Sequence, residues 1–154
     1  MSAYFFDSSA LVKRYVRETG TVWVTDILNA PTRNQIYVAR ITGVEVTSAI
    51  TRRARSGSLL RDDASAALSL FQYEFSNDFT ITEIIPSLIN RAMQLAESHA
   101  LRGYDAVQLA AALDVQSYFS TLSASSLTLV SADVELNTAA VAEGLSVEVP
   151  NTHS

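Results

Sequence analysis

Short apolar runs alternate with longer helical segments along the whole chain, and this alternation restricts the fold more than any other feature. Each apolar run is four to seven residues long and contains β-branched or aromatic residues, as strands do. The runs lie at residues 3–6, 36–40, 79–85, 127–131 and 146–149. Strands that alternate with helices predict a mainly parallel sheet covered on both faces.

Seven helices are expected beside these strands, and several have recognisable ends. Pro31 and Gly57 terminate two of them, and Pro86 opens another. The predicted spans are 8–17, 21–30, 41–57, 60–76, 86–101, 101–113 and 133–144. We therefore predict an α/β fold, a single-domain α/β/α sandwich around a mainly parallel five-stranded sheet. The length of 154 residues suits one domain over residues 1–150, followed by a flexible tail at 151–154.

Composition excludes several classes of protein. The chain has no Cys, so it has neither a disulfide framework nor a thiolate metal site. No run approaches the roughly 18 apolar residues of a membrane span, and the first residues lack the features of a signal peptide. We therefore expect a cytoplasmic protein without membrane contact. The net charge of −5 argues against a non-specific nucleic-acid binder.

The positive charges are almost all arginine, with ten Arg and a single Lys. Four of them fall within ten positions, namely Arg52, Arg53, Arg55 and Arg61. Such a group is either a solvated helix face or a patch that contacts phosphates, and the sequence leaves both interpretations open.

Four acidic residues lie where helices begin. Asp7 directly follows the first strand and Asp133 follows the fourth, whereas Glu45 and Asp105 lie in the first turns of their helices. In open parallel sheets the active crevice lies beyond the carboxyl ends of the strands, which makes these acids candidate site residues. Each one alone also fits a structural role, because acids favour helix N-termini. The segment from Thr42 to Glu45 even matches a capping box.

Other catalytic chemistries lack their residues. The chain has two His, neither a G-x-S-x-G elbow nor a G-x-x-x-x-G-K-[ST] loop, and no thiol. An enzyme with this sequence would therefore depend on carboxylates. Clustered carboxylates repel one another unless a cation lies between them, and oxygen ligands select Mg²⁺ or Mn²⁺. Such an ion can promote attack of water on a phosphodiester.

The ordered set of acids resembles that of PIN domains, specifically the VapC type of toxin ribonuclease. The four segments that carry the resemblance are YFFDSSALVKRY, TGVEVTSAI, LRGYDAVQLAAAL and LTLVSADVELNTAAVAEGL. The resemblance assigns one catalytic acid to each segment, in the order Asp7, Glu45, Asp105 and Asp133. A Ser or Thr two positions before the last acid often assists in this family, and Ser131 matches it.

The resemblance implies a Mg²⁺-dependent endoribonuclease, with Mn²⁺ as the alternative ion, often acting on tRNA or rRNA. It also implies a homodimer and a cognate antitoxin protein. We expect Asp7, Asp105 and Asp133 to be metal ligands. Glu45 is then expected to orient the attacking water or to bind a second ion.

Three further residues are candidates for substrate contact: Arg52, Arg102 and Ser131. Arg52 lies seven residues after Glu45, so a helix would place both on one face. Arg52 equally fits a surface residue that complements the helix dipole. Arg102 either contacts substrate or pairs with an acid of the site.

Two other functions remain open from the residues. The first is a PIN-like module that binds RNA or protein without cutting, although a scaffold has no need of all four acids. The second is a phosphoryl-transfer domain of the receiver or phosphatase type. That chemistry uses paired early acids and a late Lys, whereas Ser8 and Ser9 follow Asp7 here and the single Lys is Lys13.

Overall fold

The computed structural model describes residues 2–30, 33–122 and 126–153. Its elements follow the predicted order of strands and helices. They are β1 (Ser2–Phe6), α1 (Ser8–Tyr15), α2 (Thr21–Leu28), β2 (Asn34–Ala39), α3 (Thr42–Ser56), α4 (Arg61–Asn77), β3 (Thr80–Thr82), α5 (Pro86–His99), α6 (Gly103–Leu122), β4 (Leu127–Val130), α7 (Val134–Ala142) and β5 (Ser146–Glu148).

The five strands form one sheet in the order β3-β2-β1-β4-β5, and every pairing between neighbours is parallel. The chain moves outward from β1 through β2 to β3, then crosses to β4 on the other side of β1. This reversal makes the carboxyl ends of β1 and β4 the topological switch point, where ligand crevices form in open parallel sheets.

Helices cover both faces of the sheet, which confirms the predicted α/β/α sandwich. Neighbouring strand residues point to opposite faces, so Phe5 and Leu129 pack under α5, α6 and α7, whereas Phe6 and Val130 pack under α1 to α4. All four side chains are fully buried. Burial of large apolar side chains of this kind contributes about 1.5–3 kcal/mol each, which accounts for the apolar character of the central strands on both faces.

Two predicted boundaries were wrong. The strand expected over 79–85 is only Thr80–Thr82, because the chain then leaves the ladder, half-exposes Ile85 and enters α5 at Pro86. The helix expected over 101–113 begins at Gly103 and runs on to Leu122. Gly57 ends α3, as predicted, and the structure shows it in the left-handed conformation. The stop predicted at Pro31 lies outside the described residues.

The C-terminal segment contacts the first half of the chain. Pro150–Thr152 form a 3₁₀ turn, and the His153 ring stacks on Trp23 with centroids 4.2 Å apart. Gly20, at φ +93°, lies against Pro150, and a Cβ added to Gly20 would be 2.7 Å from the Pro150 carbonyl oxygen. Flexibility of the tail at 151–154 stays a prediction, and Ser154 lies outside the described residues.

Across the parts of the chain that the structure describes, none of the helices combines the length and the apolar character needed to cross a bilayer.

Candidate active site

Asp7 and Asp133 lie side by side at the switch point of the sheet. The Asp7 backbone N–H donates to the Val130 carbonyl at 3.2 Å, so Asp7 extends the β1–β4 pairing by one residue. Both acids cap helices: Asp7 accepts from the Ala10 N–H at 3.0 Å, and Asp133 accepts from the Leu136 N–H at 2.9 Å. Capping therefore accounts for part of their role, and it also places both carboxylates at the carboxyl edge of the sheet.

Asp7 is the most deeply buried of the four acids, with 3 % of its surface exposed. The Ser131 hydroxyl donates to its Oδ2 at 2.7 Å, and the Ser9 hydroxyl lies 2.7 and 2.9 Å from its two oxygens. Burial raises the pKa of Asp7 to about 6, the hydrogen bonds oppose this shift, and the charge of Asp105 adds to it. A cation beside this carboxyl would favour its ionised form.

Ser131 connects two of the acids from a fully buried position. Its hydroxyl donates to Asp7 and accepts from the Asp133 backbone N–H at 3.1 Å. Ser9 makes a second link, because its hydroxyl accepts from the Ala132 N–H at 2.9 Å. The structure thus brings Ser131 into the site as a bridge beneath the acids, turned away from the surface where a substrate would lie.

Glu45 lies in the first turn of α3 and is partly buried. Its Oε1 accepts a hydrogen bond of 2.8 Å from the Gln108 side chain on α6. Burial raises the pKa of Glu45, repulsion from Asp105 adds to the shift, and hydrogen bonds from Gln108 and Ser8 oppose it.

The capping box predicted from Thr42 to Glu45 was wrong. Ile41 occupies the N-cap position with helical angles and makes no side-chain cap hydrogen bond, so Thr42 lies inside the helix. The Thr42 hydroxyl instead accepts from Gln108 at 2.9 Å. Packing of α6 against the start of α3 therefore replaces the local capping arrangement.

Asp105 lies in the first turn of α6 and is within electrostatic range of the other three acids. Burial raises its pKa, and the charges of Asp133 and Glu135 raise it further. The guanidinium of Arg102 opposes these shifts. The structure thus gathers all four predicted acids into one neighbourhood, with Asp105 at its centre.

The donor set suits a hard divalent cation. It consists of carboxylate and hydroxyl oxygens, the ligands that Mg²⁺ and Mn²⁺ prefer. The raised pKa values of Asp7, Glu45 and Asp105 reflect burial and mutual repulsion, which a cation would offset. Over residues 2–30, 33–122 and 126–153, no three acidic or His side chains are yet placed to share one ion. The chemistry of the donor set therefore fits a metal, although these side chains would have to move to share one ion.

The arginine group divides into residues with different surroundings. Arg53 donates to Glu18 and to the Ala49 carbonyl, both at 3.1 Å, which ties it to the fold. Arg52 is exposed, forms no salt bridge within the described residues, and lines a surface cavity of about 550 Å³ on α3. Arg102 is also exposed, close to Asp105.

Ser9 and Gln108 also belong to the site, although neither was predicted from the sequence. The signal for Ser9 was its position two residues after Asp7, which suits a local hydroxyl-to-carboxylate bond. The signal for Gln108 was its polarity within a run, residues 106–113, whose other members are apolar.

Comparison with known proteins identifies relatives over most of the chain. A family model described as the PIN domain matches residues 4–141, which include all four acids. Ribonuclease VapC45 of Mycobacterium tuberculosis is 31% identical over 115 residues, which cover 75% of this chain and 78% of that protein.

Solved structures share the fold at lower identity. PAE2754 from Pyrobaculum aerophilum has a TM-score of 0.68 and 22% identity, covering 99% of this chain and 92% of its own. VapBC2 from Rickettsia felis, solved bound to a DNA fragment from its promoter, has a TM-score of 0.62 and 14% identity, covering 96% of this chain and 98% of its own. At these identities the likeness is one of fold.

Proposed function

Since the chain belongs to the PIN-domain family, and within it to the VapC-type ribonucleases, we propose that it is a Mg²⁺-dependent endoribonuclease and the toxin of a toxin–antitoxin pair. One observation carries the proposal: Asp105 lies within electrostatic range of Asp7, Glu45 and Asp133 at the switch point of the sheet. Burial and the charges of neighbouring acids raise the pKa of Asp7, Glu45 and Asp105, and such a cluster suits a cation and a phosphodiester.

In this proposal Asp7, Asp105 and Asp133 hold Mg²⁺, and Mn²⁺ shares their preference for oxygen. When bound, the ion would polarise a phosphoryl oxygen and lower the pKa of a water molecule. Ser131 and Ser9 hold the Asp7 carboxylate in one orientation through their hydroxyls. The raised pKa of Glu45 suits a base that orients the attacking water and accepts its proton.

Arg52 and Arg102 are the proposed contacts to substrate phosphates, because both are exposed cations near acids of the site, Arg52 on the helix that carries Glu45 and Arg102 just before the helix that carries Asp105. Ser131 supports the site from below, so it acts on substrate only through Asp7 and Asp133. The substrate class we propose is structured RNA such as tRNA or rRNA.

A protein antitoxin and a homodimeric state complete the proposal. The structural similarity to VapBC2 supports a partner of this kind. In the family that the chain resembles, a groove formed by the first two helices receives the antitoxin. Most apolar side chains of α1 and α2 are unavailable for such a contact here, because Val24, Ile27 and Leu28 lie in the core. Val22 on α2 is exposed beside Trp23 and is the candidate contact there.

Cleavage of RNA by the purified protein should require both the metal and Asp105. We expect Asp105→Asn to lower the rate by about 10²–10³-fold, because loss of a ligand removes several kcal/mol of charge stabilisation. The measurement is digestion of a host RNA pool with Mg²⁺, with Mn²⁺, and with EDTA, which should stop cleavage.

Asp114→Asn is the matched control, because Asp114 lies on the same helix but pairs with Arg91 at 3.4 Å on the surface. This variant should cleave like the wild type. Equal cleavage by the wild type, the EDTA sample and Asp105→Asn would refute the metal mechanism. Binding of RNA without any cleavage would favour the non-cleaving module instead.

Substitution of Arg52 should affect substrate binding, whereas substitution of Arg53 should affect stability. Arg52→Ala is expected to raise KM and to reduce the slope of log KM against log salt by about 0.7, the value for one lost phosphate contact on a single strand. Arg53→Ala should leave that slope unchanged and lower the unfolding midpoint slightly, since it loses its bonds to Glu18 and Ala49. An unchanged salt slope in Arg52→Ala would show that Arg52 does not contact a substrate phosphate.

A further inference from the structure

Gln108 connects the two helices that carry Asp105 and Glu45. It lies one turn after Asp105 on α6 and is only 2 % exposed. Its amide nitrogen donates both hydrogens to α3, one to the Thr42 hydroxyl at 2.9 Å and one to the Glu45 carboxylate at 2.8 Å. No other side chain within residues 106–113 is polar.

We propose that Gln108 is a positioning residue of the active site, which fixes the carboxylate of Glu45 relative to Asp105. This inference rests on the proposed nuclease function and adds a residue to its machinery. Gln108 is buried beneath the site, so it acts on the reaction through Glu45 and does not touch RNA.

The orientation of the Gln108 amide follows from its two partners. An ionised Glu45 can only accept hydrogen bonds, so it must face the nitrogen and not the oxygen of the amide. The Thr42 hydroxyl can accept the second hydrogen and keep its own proton for another acceptor. Both donors of the amide are therefore committed to α3.

The Gln108 carbonyl oxygen shows that stability alone does not account for this residue. Oε1 is buried and accepts no hydrogen bond from any side chain or backbone group in the described ranges. A buried acceptor without a partner destabilises the fold, whereas an unbranched apolar side chain such as Met would fill the space without that penalty. Compared with an apolar side chain, the amide adds two N–H donors, and both bond to residues of α3.

Loss of these donors should affect the reaction step more than substrate binding. Glu45 would keep the Ser8 hydroxyl as a partner but lose the one that links it to α6. A base displaced by about 1 Å can cost about 10²-fold in rate. We therefore expect Gln108→Met to lower kcat by about 10–100-fold and to leave KM within about twofold of the wild type.

Gln116→Met is the control on the same helix. Gln116 accepts from the Leu127 N–H at 2.9 Å, so its loss removes one hydrogen bond outside the site. This control should retain the wild-type kcat. A Gln108→Met variant with wild-type kcat, in a preparation whose wild type cleaves RNA, would overturn the inference while leaving the proposed function intact.

A double-mutant cycle tests whether Gln108 acts through Glu45. In a Glu45→Gln background, Gln108→Met should have almost no further effect on kcat, since the residue it positions is already altered. If Gln108→Met lowers kcat by the same factor in both backgrounds, the positioning role is contradicted and the effect reflects general damage to the fold.

A third readout requires neither activity nor metal. The two side-chain amide ¹⁵N–¹H signals of Gln108 should exchange slowly with solvent, because both hydrogens are bonded and buried. Glu45→Ala should shift these signals and leave those of Gln116 unchanged. Insensitivity of the Gln108 signals to Glu45→Ala would overturn the inference. Should the wild type fail to cleave RNA, the proposed function fails, and this measurement alone decides whether Gln108 positions Glu45.

Discussion

Asp7→Asn is expected to abolish RNA cleavage and, at the same time, to stabilise the folded protein at neutral pH. Burial raises the pKa of Asp7 from 3.8 to about 6, so ionisation of this carboxyl at pH 7.5 costs the folded state about 3 kcal/mol. Asn is neutral, has nearly the same shape and can still accept from the Ala10 N–H as a helix cap. The Ser9 and Ser131 hydroxyls can rotate to meet its amide. We expect a gain of about 1–3 kcal/mol in the free energy of unfolding at pH 7.5.

The gain should depend on pH in a defined direction. The folded pKa of Asp7 lies above its unfolded value, so the folded state binds more protons between about pH 4 and pH 6. The contribution of Asp7 to stability is fully present below pH 3.8 and is lost as the pH rises through about 6. The difference between Asp7→Asn and the wild type should therefore be largest at pH 7.5 and small at pH 4.

Urea denaturation of both proteins at pH 4, 5, 6 and 7.5 measures this difference. The pKa values of Glu45 and Asp105 are also raised, but both residues remain in the variant, so their contributions largely cancel. Cleavage by the variant should fall about 10²–10³-fold, as expected for a lost metal ligand. An Asp7→Asn protein less stable than the wild type at pH 7.5 would show that the hydrogen bonds to the charged carboxylate outweigh its burial.

An Asp7→Asn protein that is more stable but inactive would show that the charge of Asp7 serves the reaction and not the fold. A helix cap alone explains an Asp or an Asn equally well, so capping does not require the charge. A buried charge that weakens the fold is instead typical of a functional site.

The parallel sheet could be predicted from the sequence because the decisive property was local. The central strands are apolar on both faces, as Phe5 beside Phe6 shows, and a continuous apolar run of that kind is visible without any tertiary information. The positions of Asp7 and Asp133 then follow from a rule of topology, since both come directly after or shortly after a central strand.

The hydrogen bonds that support the acids could not be predicted from the local sequence, because they join residues far apart in the chain; only the family resemblance indicated Ser131. Gln108 reaches Glu45 across 63 positions, and Ser131 reaches Asp7 across 124. The wrong capping box at Thr42 has the same origin, since the local pattern was sound but α6 supplied a different partner for its hydroxyl. The local sequence indicates which acids lie at the site, whereas tertiary packing decides which side chains donate hydrogen bonds to them.

Glu74→Ala should destabilise the protein strongly, although Glu74 lies outside the site. Glu74 lies on α4 and is 6 % exposed. Its two oxygens accept from the Arg14 guanidinium at 2.8 and 2.7 Å, and Oε1 also accepts from the Tyr15 hydroxyl at 2.8 Å. Burial and the hydrogen bond to Glu74 raise the pKa of Tyr15, which keeps its phenol protonated as a donor.

Removal of Glu74 would leave the Arg14 charge and the Tyr15 hydroxyl largely buried without their acceptor. Breaking a buried pair on one side costs about 3–5 kcal/mol, because the remaining charge has lost its compensation. Chemical denaturation should show this loss for Glu74→Ala. Glu83→Ala, which breaks the exposed pair with Arg40, should change the midpoint little because water screens that pair.

The buried pair of Arg14 and Glu74 should be replaceable as a whole by two apolar residues. The double variant Arg14→Met, Glu74→Leu removes both charges together, so it should recover most of the stability lost in Glu74→Ala. Arg14 and Tyr15 end the helix that Asp7 caps, so this network holds the C-terminal end of α1 against α4. If Glu74→Ala loses less than about 1 kcal/mol, the network contributes no more to stability than an ordinary exposed pair.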